Sequence, residues 1–225
     1  MKPLKIVFVT LLILFISANY IQIIAQNEDL NGKKIAVIGD SYVKNHLQPV
    51  EYTWHYKFAQ KHGMKYFNYG INGNSISYTS PRWGTALYQR YKEMPDSLDY
   101  VIVIAGHNDC FKLDSIGSLE VFKERVGILC RGLVDKYPMA KIFFFTRWNC
   151  KDFKGSNSEK VIDAMLEVCG NYSIPIFDCA RNAGIYADND AFRSIYFQTP
   201  TDNAHLNAKG HDRFLKVAED FILKY

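Results

Sequence analysis

Apolar positions along the chain recur in two alternating patterns. Short apolar-rich runs stand at KIAVIG (34–39), MKYFNYG (64–70), YVIVIAG (100–106), AKIFFFT (140–146) and IPIFD (174–178). Runs of this length and composition predict buried strands, with 100–106 the most apolar and therefore central. Between them the apolar residues fall three or four apart. Trp54 and Phe58 do so in 53–63, which ends in Gly63, and Leu87 and Tyr91 in 83–94. Phe122, Val126, Leu129 and Leu133 line one side of 118–137. The segment 158–172 has Gly170 as its predicted stop, and 207–225 carries Phe214, Leu215, Ala218, Phe221 and Ile222 on one face. This spacing predicts amphipathic helices. Strands alternating with helices predict a parallel sheet with helices on both faces.

The polar and glycine residues cluster where the predicted strands end. Gly39-Asp40-Ser41, Asn68 to Gly73, Gly106-His107-Asn108-Asp109 and Arg147-Trp148-Asn149 all occupy such places. Ligands of open α/β sheets bind just beyond the carboxyl ends of the strands. Gly, Asp and Ser also favour turns and helix caps, so Gly39-Asp40-Ser41 alone fits either a cap or a nucleophile.

A serine hydroxyl attacks only with a base to take its proton and a third group to hold that base. Six histidines are available: His46, His55, His62, His107, His205 and His211. Of these, His205 has an acid at short spacing in a loop, Asp202 in DNAH, close enough for the carboxylate to reach its Nδ1–H. His211 falls in the last helix and reads as a packing or surface residue. The N–H of Ser41, the backbone at Gly73 and the side-chain amide of Asn108 are suitable donors to an oxyanion.

GDS at 39–41, NYGINGNS at 68–75, GHND at 106–109 and DNAH at 202–205 resemble, in order, the four sequence blocks of the SGNH (GDSL-type) esterases and lipases. The resemblance spans about residues 33–222. It implies a flavodoxin-like three-layer α/β/α sandwich around a central, mainly parallel five-stranded sheet. It also implies Ser41 as nucleophile, His205 as base, Asp202 as its orienter, and an oxyanion hole of Ser41, Gly73 and Asn108. The usual family activity is hydrolysis of carboxylic esters without metal or cofactor. Tyr42 after the first block is a common variation. His107 stands where Gly or Thr is more usual, and is expected to point away from the site. Asp109 is expected to brace its turn, and Asp40 to bond the local backbone.

Composition narrows the class further. The chain has 225 residues, 48% hydrophobic and 22% charged, which suits one globular domain over 27–225. Residues 1–26 differ: Lys2 and Lys5 precede LLILFIS, and no acid occurs before Glu28. They read as a secretory signal peptide, or as an uncleaved N-terminal anchor, since Ile23 is large for a cleavage site. Either predicts export to a periplasmic or extracellular location, with membrane contact only through that segment. Its removal leaves 25 basic and 23 acidic side chains, which gives no ground for a nucleic-acid partner. The five cysteines form no CxxC pair, so a metal or redox site is unsupported. A nucleotide-binding protein is disfavoured by the lack of GxGxxG after the first strand.

Trp83 and Trp148 lie in or near strand-end loops and are the candidate residues for stacking on a sugar, with Tyr78 nearby. Arg82 and Arg147 could meet a substrate hydroxyl or carboxylate, though such residues are commonly solvated. No long apolar lid separates the blocks, which weighs against a long-chain lipase. The leading expectation is hydrolysis of short acyl groups, O-acetyl above all, from a small-molecule or polysaccharide carbohydrate ester. The alternatives are a short-chain lipid esterase or lysophospholipase, and a non-catalytic carbohydrate-binding protein on the same scaffold.

Overall fold

The computed structural model describes residues 29–225, so the expected signal peptide or anchor over 1–26 lies outside the described residues. Five strands form the sheet: β1 (Lys34–Gly39), β2 (Lys65–Gly70), β3 (Tyr100–Ile104), β4 (Lys141–Phe145) and β5 (Ile176–Phe177). All pairs are parallel, in the order β2-β1-β3-β4-β5. This is the flavodoxin-like order, and each strand falls where the apolar runs predict it. The helices are α1 (Ser41–Lys44), α2 (Trp54–Lys61), α3 (Leu87–Arg90), α4 (His107–Cys110), α5 (Leu113–Ile116), α6 (Leu119–Lys136), α7 (Asn157–Asn171), α8 (Cys179–Asn182), α9 (Asp190–Tyr196) and α10 (Ala208–Ile222).

The middle strands are apolar throughout because both faces are covered. Successive side chains of a strand point to opposite faces. Ala36, Ile38, Val101, Val103 and Phe144 join the core under α6 and α7, where Phe122, Val126, Leu129 and Met165 meet them. Phe143 and Phe145 face the other way. There Phe145 packs on Trp54 of α2 at 4.8 Å between ring centroids, and on Phe221 of α10 at 5.4 Å. Phe214 of α10 adds Trp54 at 5.6 Å and Phe177 at 6.0 Å. The three layers follow from this division.

Helix starts are set by side-chain caps. Thr53, Ser118, Ser156 and Asn207 accept the N–H groups of Tyr56, Val121, Glu159 and Gly210. Two expected boundaries move. The helix expected over 83–94 begins only at Leu87, because Ser80 and Gly84 pair in an antiparallel bridge and Gly84 has a φ of 80°. Trp83 therefore sits in a turn. Gly170 lies inside α7 and does not end it; the backbone reverses at Ser173, with φ at 54°. α1, α4, α5, α8 and α9 are too short to show a helical period in the sequence.

The chain runs outward from β1 to β2, then returns past β1 to β3. The strand order reverses between β1 and β3, and such a crevice is where these sheets take ligands. Ser41 follows β1 and Asn108 follows β3.

Candidate active site

β1 ends on Gly39, where a Cβ would stand 2.0 Å from the Ile104 carbonyl oxygen and 2.7 Å from the Val43 side chain. Only glycine lets the turn into α1 press so closely on β3. Asp40 then caps α1, its carboxylate accepting from the Tyr42 N–H at 2.9 Å and from Asn108 Nδ2 at 3.3 Å. Asp40 is fully buried, and burial pushes its carboxyl up to about 7. Ser41, the first residue of α1, is 6% exposed.

The loop before α10 brings His205 to this serine. His205 Nε2 lies 2.8 Å from Ser41 Oγ, and His205 Nδ1 lies 2.9 Å from Asp202 Oδ2. With Asp202 ionised, Nδ1–H donates to the carboxylate and Nε2 accepts from the serine hydroxyl. The other Asp202 oxygen accepts from the N–H groups of Ala204 at 2.8 Å and His205 at 2.9 Å. Burial pushes the Asp202 carboxyl up, but these bonds from His205 and Ala204 outweigh it and the net shift is downward. The loop is held by Trp148 Nε1 donating to Ala204 O at 3.0 Å, and by Gln198 N–H donating to His205 O at 2.9 Å.

Asn108 joins this group through Asp40, and its Nδ2 also donates to Asn74 O at 2.9 Å. Gly73 precedes that asparagine, with φ at 73°; a Cβ there would stand 2.4 Å from the Trp83 ring. Lys112 Nζ donates to Gly73 O at 3.0 Å. Asp109 accepts from Ile76 N–H at 3.0 Å and from Ser77 N–H at 3.0 Å and Oγ at 2.8 Å. It thus braces the 73–77 segment, and burial pushes its carboxyl up.

The structure places the aromatic candidates differently from each other. Trp83 is half-buried beside Gly73, with the Arg82 guanidinium 4.4 Å from its ring centroid. Trp148 corrects the expectation of a stacking surface. It is 3% exposed and wedged between Tyr42 and Phe214, with centroids at 5.5 and 4.9 Å, so it supports the His205 loop from behind. Arg147 is not solvated; it is buried at 2% exposure.

Sequence reasoning assigns no site role to two neighbours, His46 and Tyr42, and expects a third, His107, to point away. The His46 ring stacks on that of His205, and His46 has a φ of 49°. Tyr42 packs against His205 at 6.1 Å and its hydroxyl lies 3.2 Å from His107 Nδ1. His107 therefore does not turn away; it backs the site through Tyr42. Burial, then the Arg147 charge, pushes His107 down to about 3, so it is the acceptor for a Tyr42 hydroxyl that burial pushes well up. His211 packs in the interior as expected, accepting from Trp54 N–H at 3.3 Å.

A parallel α/β sheet with a hydrogen-bonded serine, histidine and aspartate at its switch point has the architecture of a serine hydrolase. The profile of the GDSL-like Lipase/Acylhydrolase family matches residues 37–213. The chain belongs to that family and is an ester hydrolase. Among solved structures, a protein from Lactobacillus plantarum is 23% identical, with a TM-score of 0.73 over 87% of this chain and 98% of that one. The psychrotrophic esterase EstA from Pseudoalteromonas sp. is 14% identical, with a TM-score of 0.64 over 85% of this chain and 97% of that one. A carbohydrate esterase family 2 enzyme from Corynascus thermopiles (Myceliophthora fergusii) is 16% identical, with a TM-score of 0.64 over 85% of this chain and 66% of that one. No curated protein sequence matches.

Proposed function

We propose that the protein hydrolyses esters of short acyl groups, acetyl above all, borne on a carbohydrate, with Ser41 as nucleophile. The observation that carries this is the run from Ser41 Oγ through His205 to Asp202, with contacts of 2.8 and 2.9 Å. Neutral His205 takes the hydroxyl proton as Ser41 Oγ attacks the ester carbonyl, and Asp202 stabilises the imidazolium that forms. The carbonyl oxygen becomes an oxyanion, for which the N–H groups of Ser41 and Gly73 and the amide of Asn108 are the proposed donors. The imidazolium returns its proton to the departing alcohol. Water then attacks the acyl-serine by the same route and releases the carboxylic acid.

Two features support a short acyl group on a sugar. No long apolar lid separates the sequence blocks that carry Ser41 and His205, which favours a short acyl group over a long chain. At the same edge of the sheet, an open cavity of about 800 Å³ is bordered by Asn149, Asn182, Tyr186 and Asn189, side chains suited to hydroxyl groups. The fold shared with a carbohydrate esterase agrees with this reading. The basic, then apolar, N-terminal segment supports export to where polysaccharide substrates lie.

The test compares p-nitrophenyl acetate, butyrate and octanoate, wild type beside Ser41→Ala, followed by acetate release from acetylated polysaccharide. Acetate turned over fastest and lost in the variant is the expected result. Turnover confined to octanoate would overturn the acyl assignment.

A further inference from the structure

Beside the serine site lies a second open cavity of about 360 Å³. It is bordered by Phe111 after α4, Arg147 and Lys151 after β4, Ser158 at the start of α7, and Asn203 in the His205 loop. Arg147 forms its floor. Its guanidinium donates from Nε to Trp148 O at 3.2 Å, and from Nη1 to Ser158 Oγ at 2.9 Å and Cys110 Sγ at 3.0 Å. All three partners are neutral, since the Cys110 thiol itself donates to His107 O at 2.7 Å. Nη2 has no partner, and the guanidinium forms no ion pair, among the described residues. Asp40 feels the Arg147 charge through space, but no carboxylate contacts the guanidinium among the described residues, and an incoming anion would supply one.

The surroundings favour an anion as well. Lys151 is exposed and brings a second positive charge, and no Asp or Glu borders the cavity. The first turn of α7 borders it too, and the leading N–H groups of a helix have no intrahelical partner. Phe111, 71% exposed, stands with its ring centroid 5.6 Å from the Arg147 guanidinium and offers an apolar flank.

We propose that this cavity binds an oxyanion carried by the substrate, a carboxylate or phosphate on the alcohol portion of the ester. This rests on the ester-hydrolase reading of Ser41 and His205. The alcohol portion is chosen because His205 returns its proton to the departing alcohol, which must lie on the His205 side. Asn203 puts the cavity on that side. Arg147 supplies the N–H groups of Nη2, its one guanidinium nitrogen without a partner among the described residues, and Lys151 a mobile charge at the mouth.

The experiment measures kcat/KM, by release of the phenol, for 4-acetoxybenzoate and for its methyl ester. Each is divided by its rate of alkaline hydrolysis, because removing the charge also adds a methyl group and makes the phenol a better leaving group. The anionic ester is expected to be preferred by roughly tenfold or more, the effect of one or two charge-assisted hydrogen bonds. Lys151→Glu should collapse that ratio, and Arg147→Lys should retain part of it. A ratio at or below one that Lys151→Glu does not move would overturn the proposal. Calorimetric binding of benzoate and of phenyl phosphate needs no turnover and separates carboxylate from phosphate. Binding weakened by Lys151→Glu, with neither ester cleaved, would keep the anion site and sink the hydrolytic reading. Cleavage without preference, and neither anion bound, would do the reverse.

Discussion

The imidazole of His46 lies flat on that of His205, with centroids 4.1 Å apart and planes 12° apart. Burial, then the His205 charge, pushes His46 below its ordinary value, so it faces its neighbour as a neutral ring. It shields the ring that meets Ser41 and limits its tilt. Stacked aromatic pairs contribute about 0.5–1.5 kcal/mol, so His46→Ala should lower kcat by up to roughly tenfold. His46→Phe keeps the stack and should retain most of the rate. Equal losses in both variants would show that the imidazole nitrogens, and not the stack, matter.

Ser41, His205 and Asp202 should act as a unit. Ser41→Ala and His205→Ala are each expected to remove nearly all turnover, and the double variant to lose little more. Asp202 Oδ2 is the partner of His205 Nδ1, so Asp202→Asn should cost on the order of 10⁴ in kcat through the wrong tautomer. Initial rates on p-nitrophenyl acetate check this, and additive losses from Ser41 and His205 would contradict a shared step.

Acid should unfold the protein through its buried histidines. Burial pushes His55 and His107 down to about 3 and His211 well below its ordinary value. The unfolded chain binds these protons near pH 6.5 while the native state does not. Their contribution is therefore full above about pH 6.5 and is lost as pH falls toward 3, by several kcal/mol in all. Urea midpoints between pH 8 and pH 4 test it; a midpoint that stays level down to pH 4 would refute it.

Asp40 works in the opposite sense. Its native value of about 7 lies above the unfolded 3.8, so its contribution is present below about pH 4 and lost as pH rises to 7. Asp40→Asn removes that cost and should raise stability at pH 8. The same change can set an amide NH₂ against Asn108 Nδ2, now 3.3 Å away, and should lower kcat more than 10-fold, as loss of an oxyanion donor would. Denaturation and kinetics on one preparation separate the two effects, and a variant that is neither more stable nor slower would refute both.

Much of this protein was legible without its structure. The five strands follow from apolar-rich runs, unbroken in β3 and nearly so in β1 and β4, and the layers follow from their alternation with amphipathic helices. The turn joining Asp202 and His205 follows from their three-residue spacing, because local geometry alone brings the carboxylate to the ring. Periodicity reports which side of an element is buried and not which neighbour it meets. The meeting of Ser41 with His205, 164 residues away, is decided by the strand order and the return of the chain over the sheet edge. The same applies to Trp148, a strand-end tryptophan in the sequence and a buried prop in the fold. Arg147 reads as a solvated charge until α4, Phe111 and α7 close around it. Side-chain burial at a sheet edge depends on contacts between distant segments, so the tertiary structure alone settled it.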